Sequence, residues 1–177
     1  MNGFTQIPHS IWTAGLKIEE REMLLYILDC QNRFKREGKW INLTDEDFIN
    51  IGFGTCKSRW RKYRDGLISK GLVIYRKGGP GRKSGYKVSN RLNEILDVLP
   101  TLSEDARGFI ECCGSDWNKI LTLIRKKKYY KDKKYGDEAN NLMCVHANSC
   151  GISDSGDVWG EISKFINIIT DVEYGKN

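Results

Sequence analysis

The chain has 177 residues, 40% of them apolar and 29% charged, with 29 Lys and Arg against 23 Asp and Glu. That length and apolar share suit one domain, or one domain with an appendage, and exclude a disordered tail. The longest unbroken apolar run, Met23 to Leu28, is too short for a bilayer, and no basic region precedes an apolar stretch at the start, so a cytoplasmic protein without a membrane partner is expected.

Ile7-Pro8-His9-Ser10-Ile11-Trp12 reads as an extended lead-in followed by one helical turn. From Ile18 the pattern is helical, with Leu24, Leu25, Leu28 and Phe34 near a 3.6-residue period. Glu19, Glu20 and Glu22 at its start, and Lys35 and Arg36 at its end, suit the helix dipole. Trp40 to Leu43 is a brief extended piece. Thr44, three residues before Asp47, predicts a near capping box opening a short second helix to about Ile51, and Gly52-Phe53-Gly54 then predicts a tight turn.

A third helix is predicted from Thr55 or Ser58 to Lys70, with Trp60, Tyr63 or Arg64, and Leu67 on one face and Gly71 closing it. Leu72 to Tyr75 reads as a strand, Gly78 to Gly85 as a basic glycine-rich loop, and Tyr86 to Val88 as the returning strand. Helix, short strand, helix, tight turn, helix and basic-tipped hairpin is the order of a winged helix-turn-helix. An α+β fold, mainly α, is therefore expected, with this domain over residues 1–99.

Residues 100–177 are expected to form a small α-helical region for dimerisation or partner recruitment. Ser115 is a candidate cap for a helix carrying Trp117, Ile120, Leu121 and Ile124, which runs into the basic stretch Arg125 to Lys131. A last helix from about Asp157 carries Val158, Ile162, Phe165, Ile166 and Ile169, a candidate surface for self-association or a partner. The alternative is that this stripe simply packs on the Trp117 helix.

Charge is unevenly placed. Residues 1–100 sum to +7 and residues 101–177 to −1, while Lys57 to Arg91 alone holds twelve cations and the single acid Asp65. Such a segment repels itself unless a polyanion compensates, and solubility alone favours mixed signs. With Trp60 and Leu67 inward, Lys57, Ser58, Arg59, Arg61 and Lys62 are left to face a DNA major groove. There Arg reads guanine with paired hydrogen bonds, and Lys and Ser serve phosphates or single base contacts. Arg76, Lys77, Arg82, Lys83 and Lys87 would flank the hairpin and meet adjacent backbone. The competing reading is a winged helix repurposed for protein contacts, with these charges merely solvated.

No catalytic constellation emerges, and no enzyme activity or cofactor is expected. Gly78 to Ser84 resembles a phosphate-binding loop only superficially, because Arg82 stands where glycine must precede Lys-Ser and a strand follows instead of a helix. His9 and His146 lie in no nucleophile motif. Asp116, Asp137, Glu138, Asp154, Asp157 and Glu161 read as caps and solvated faces rather than a nuclease centre. The cysteines at 30, 56, 112, 113, 144 and 150 form no regular framework and are expected to be reduced thiols. Cys112, Cys113, Cys144, His146 and Cys150 could together be imagined around zinc, but C-x-H-x-x-x-C matches no common structural signature.

Two stretches resemble a known family. Phe4-Thr5-Gln6-Ile7-Pro8-His9-Ser10-Ile11-Trp12 followed by the helix with Leu16, Glu20 and Leu24 is similar to the opening of winged-helix domains in phage and plasmid replication initiators. Trp60-x-x-Tyr63-Arg64-x-x-Leu67-x-x-x-Gly71-Leu72-Val73 is similar to the way such domains end, and is shared with winged-helix transcription regulators. Trp60 departs from the pattern, which has a smaller apolar residue there. The resemblance covers about residues 4–90 and implies double-stranded DNA as partner. The role implied is replication initiation or origin binding, alternatively transcription regulation.

Overall fold

The computed structural model describes residues 7–33, 40–79, 83–152 and 156–171. The chain is mainly helical with one small antiparallel sheet, and it divides into two compact units, Met1–Pro100 and Thr101–Asn177. The division falls one residue after the expected boundary. No helix among the described residues is long and apolar enough to cross a membrane.

In the first unit a 3-10 turn, His9–Trp12, precedes α1 (Ile18–Arg33). The predicted α1 stripe needs correction. The buried face is Glu20, Met23, Leu24, Ile27, Cys30 and Gln31; Leu25 and Leu28 are half-buried, and Phe34 lies outside the described residues. Two polar residues belong to this inner face because each has a partner there. Glu20 accepts from Lys70 at 2.8 Å, and the Gln31 side-chain oxygen accepts from the Val88 backbone N–H at 3.3 Å. A buried polar group so satisfied avoids the desolvation penalty that hydropathy patterns assume.

β1 (Ile41–Leu43) leads to α2 (Asp45–Phe48), which opens on a complete capping box. The Asp47 N–H donates to the Thr44 hydroxyl at 3.2 Å, and the Thr44 N–H donates to the Asp47 carboxylate at 2.7 Å. A helical turn over Ile49–Phe53 then breaks at Gly52, where φ is 100°. α3 (Lys57–Ser69) ends as predicted: Gly71 takes φ 72°, and the Leu72 N–H donates back to the Leu67 carbonyl at 3.0 Å. Only glycine adopts that left-handed turn without strain.

β2 (Val73–Arg76) and β3 (Ser84–Val88) form the hairpin, and β1 pairs on the other side of β3, giving the order β1-β3-β2. Ile41 faces Tyr86 across one ladder, and Tyr75 faces Tyr86 across the other. α4 (Leu92–Val98) follows the hairpin. The unit's core is aromatic at its centre. Trp60 is fully buried and stacks on Phe48 at 4.8 Å between centroids, with Tyr86 edge-on to Phe48 at 5.4 Å. Burial pushes the Tyr86 phenol up to about 12.

The described residues of the second unit form four α-helices, α5 (Glu104–Cys113), α6 (Ser115–Tyr130), α7 (Lys133–Cys150) and α8 (Gly156–Thr170). Ser103 caps α5, receiving the Ala106 N–H at 3.2 Å, and its own hydroxyl donates to Glu161 of α8. Ser115 is not a cap: Gly114, at φ 50°, takes that position and Ser115 is the first helical residue. Val158, Ile162, Phe165, Ile166 and Ile169 are all buried, with α8 packed on α5 and α6. Of the two readings the packing one therefore holds: the stripe is interior to the second unit, against α6 and α5, and is not a surface for a second copy or a partner.

The reduced-thiol expectation also fails in part, because Cys112 and Cys150 form a disulfide between the ends of α5 and α7. Cys30, Cys56, Cys113 and Cys144 are free thiols.

Candidate nucleic-acid interface

The interface is built around what α3 buries. Trp60 and Leu67 anchor it inward, so residues 57, 58, 59, 61 and 62 are left on its exposed side. Lys57 and Arg61 are one turn apart, and both reach the same acid: Asp45 accepts from Lys57 at 3.2 Å and from Arg61 at 2.9 Å. Asp45 is the first residue of α2, so this shared carboxylate ties the start of α2 to the first two turns of α3. The cations keep substantial exposure, and the pairing orients them without neutralising the face.

Arg59 is held differently. It lies against Tyr63, which raises its affinity for the proton, and the Tyr63 hydroxyl donates to Glu19 of α1 at 3.1 Å. Glu19 is held below the usual carboxylate range, first by a backbone N–H and then by Tyr63. Ser58 bonds the Cys56 sulfur at 3.0 Å at the head of α3. That contact, with the Arg59 and Ser58 backbone N–H groups, pulls the exposed Cys56 thiol below its ordinary value. Lys62 is exposed and makes no ion pair with any described residue.

The hairpin is fastened to α3 by Arg64, whose guanidinium sits 4.4 Å over the Tyr75 ring and bonds Asp65 at 2.7 and 2.9 Å. At its loop end the Ser84 hydroxyl pairs with Tyr75 at 3.2 Å and receives the Gly78 N–H at 3.3 Å. Arg76 is exposed and lies 4.9 Å over Trp40. Gly85 permits that stacking, because a Cβ there would come within 3.2 Å of the Trp40 ring. Lys77 and Lys83 are exposed beside the hairpin tip, and Arg82 lies outside the described residues.

Lys87 is a correction. It stands opposite Ile74 in the central strand and is only 9% exposed, so it leaves the exposed basic set. Its charge suggested an outward position, but in a strand with partners on both edges the pleat decides the direction. Sequence reasoning missed Asp45, Trp40 and Tyr63, which hold the cations in place. The signal was present for Asp45 alone, as the first residue of a capping-box helix.

No family model, curated protein or solved structure matches this chain. The site is read from its own geometry. Chemically the α3 face and hairpin offer guanidinium forks, ammonium groups and a hydroxyl, all donors, suited to phosphate oxygens and acceptor edges of bases. In the second unit the acids are dispersed: Asp116 bonds His146 at 3.1 Å, Glu138 pairs with Lys119 at 3.4 Å, and Glu161 meets Ser103. Asp154 lies outside the described residues. Among the described residues no group of three or more His, Cys, Asp or Glu side chains is arranged to hold a metal ion, and two of the cysteines considered for zinc are bonded to each other.

Proposed function

We propose that the protein binds double-stranded DNA as a winged helix-turn-helix, with α3 in the major groove and the β2–β3 hairpin on flanking phosphates. The observation that carries the reading is the division of α3: Trp60 and Leu67 are buried, while Lys57, Ser58, Arg59, Arg61 and Lys62 are exposed on the other side. Arg76, Lys77 and Lys83 extend the cationic surface along the hairpin. Binding needs no cofactor and no catalytic step, and its free energy comes largely from release of counterions.

Within that reading we propose replication initiation or origin binding for a phage or mobile element, acting in the cytoplasm. The resemblance of residues 4–90 to initiator domains supports it. The alternative is a transcription regulator dimerising through its C-terminal helices; the Val158 to Ile169 stripe, which could have served either role as a docking surface, is interior to the second unit. The Cys112–Cys150 disulfide is the observation that pulls against a reducing compartment.

Selection of bound duplexes from a randomised pool tests the proposal. Enrichment of a short site arranged in direct repeats is the expected result. A single palindrome would favour the regulator, and a pool that stays random, with no duplex retained at low salt, would contradict DNA binding altogether.

A further inference from the structure

The duplex reading leaves the second unit's charge unused. Residues 125–134 hold seven Lys and Arg and the single acid Asp132, a net +6 in ten residues, so the rest of residues 101–177 sums to −7. This cluster occupies one corner. α6 ends at Tyr130, Lys131 takes a left-handed conformation at φ 53°, and α7 starts at Lys133 after its cap Asp132. Three of the cations are already paired: Arg125 donates to the Ile169 carbonyl of α8 at 3.0 Å, Lys128 approaches Asp171 at 4.0 Å, and Lys134 meets Asp132 at 3.2 Å.

Three aromatic rings share this corner with the lysines. Tyr129 and Tyr130 meet edge-on at 4.9 Å, and Tyr130 lies 6.0 Å from Tyr135 of α7. The ammonium groups of Lys126 and Lys134 stand 5.6 and 4.9 Å over the Tyr135 ring. Tyr129 and Tyr130 are 59% and 62% exposed, so they contribute little to any core. Lys127 runs past Gly136, where a Cβ would stand 2.8 Å from its side chain, so the bare backbone of α7 makes room for that stem.

Clustered like charges repel one another and exposed rings leave apolar surface in water, so a ligand that answers both features is favoured here. Phosphate answers the ammonium groups, and a planar base face answers tyrosine. A duplex offers the phosphates but keeps its base faces stacked inside. We propose that the α6–α7 corner binds single-stranded nucleic acid, with bases stacking on Tyr129 and Tyr130 and phosphates on the neighbouring lysines. This site shares no residue with the α3 face and does not depend on the duplex reading.

The test uses the full chain, a labelled oligo(dT) of about 12 nucleotides and a duplex of mixed sequence, read by fluorescence anisotropy. Tyr129→Ala/Tyr130→Ala should weaken oligo(dT) binding about tenfold or more while duplex affinity stays unchanged. Lys131→Ala/Lys133→Ala, which alters no ring, should flatten the oligo(dT) salt dependence by about 1.4 in log–log slope. Arg59→Ala/Lys62→Ala on α3 should weaken the duplex and spare oligo(dT), so failure of one reading is visible apart from failure of the other. The inference is overturned if wild-type protein does not bind oligo(dT), or if both corner variants bind it as wild type does. It is also overturned if the α3 variant abolishes oligo(dT) binding or the tyrosine variant loses duplex equally.

Discussion

Gly66 and Glu20 set how closely α3 approaches α1. Glu20 is almost fully buried and pairs with Lys70, while its carboxylate lies directly over the Gly66 backbone, where an added Cβ would collide with it. Helix propensity alone would favour alanine at position 66 by about 1 kcal/mol. The packing reverses that sign: Gly66→Ala should destabilise the first unit by about 2 kcal/mol, read as a lower urea midpoint with unchanged slope. A variant as stable as wild type would show that Glu20 can move aside.

Cys56 supplies a second prediction at this scale. Its thiol is pulled down by Ser58 and neighbouring N–H groups, whereas burial pushes Cys30 up and Cys113 up to about 11. A lowered pKa places the reactive thiolate at lower pH, so as pH rises Cys56 should alkylate before Cys30 and Cys113. Because Cys56 stands at the N-terminal end of α3, bound duplex should protect it while leaving exposed Cys144 reactive, as peptide mass mapping would reveal. Equal labelling of Cys56 with and without bound duplex would place the DNA elsewhere.

At the scale of elements, legibility in sequence followed how far each buried face is apolar and local. The Thr44–Asp47 capping box and the Gly71 stop are local chemistry, and both stand where their residues predict. The α1 stripe was displaced because Glu20 and Gln31 are buried by partners distant in sequence. α7 went unread because its buried residues are Gly136, Ala139 and Ala147, which form no hydropathy stripe. The Cys112–Cys150 pairing spans 38 residues and depends on α5 and α7 meeting, which no spacing rule encodes. For a loop of that length the chain-entropy model gives about 4 kcal/mol. Cys112→Ser/Cys150→Ser should therefore lower the melting temperature of the second unit and leave duplex affinity unchanged. A fall in duplex affinity in a folded variant would mean the second unit contributes to that site.

For the molecule as a whole, the feature that matters for the proposed binding is where the charge stands. The first unit carries +7, and its exposed cations gather on α3 and beside the hairpin. Composition alone made the expectation of a polyanion partner legible. Which cations are exposed was not, since that depends on the pleat at Lys87 and on the shared carboxylate of Asp45. Asp45→Asn should release Lys57 and Arg61 and strengthen non-specific duplex binding at low salt by roughly three- to tenfold. Unchanged affinity would mean that neither cation reaches the phosphates.

The most direct test of the central claim is duplex affinity across a salt series, for wild type, Arg59→Ala/Lys62→Ala and Lys77→Ala/Lys83→Ala. Log affinity should fall against log salt with a slope on the order of −4 to −6, and each double variant should flatten it by about one to two units. A folded protein that binds no duplex at low salt, or whose slope is the same in all three forms, would contradict the assignment of α3 and the hairpin as the DNA-binding surface.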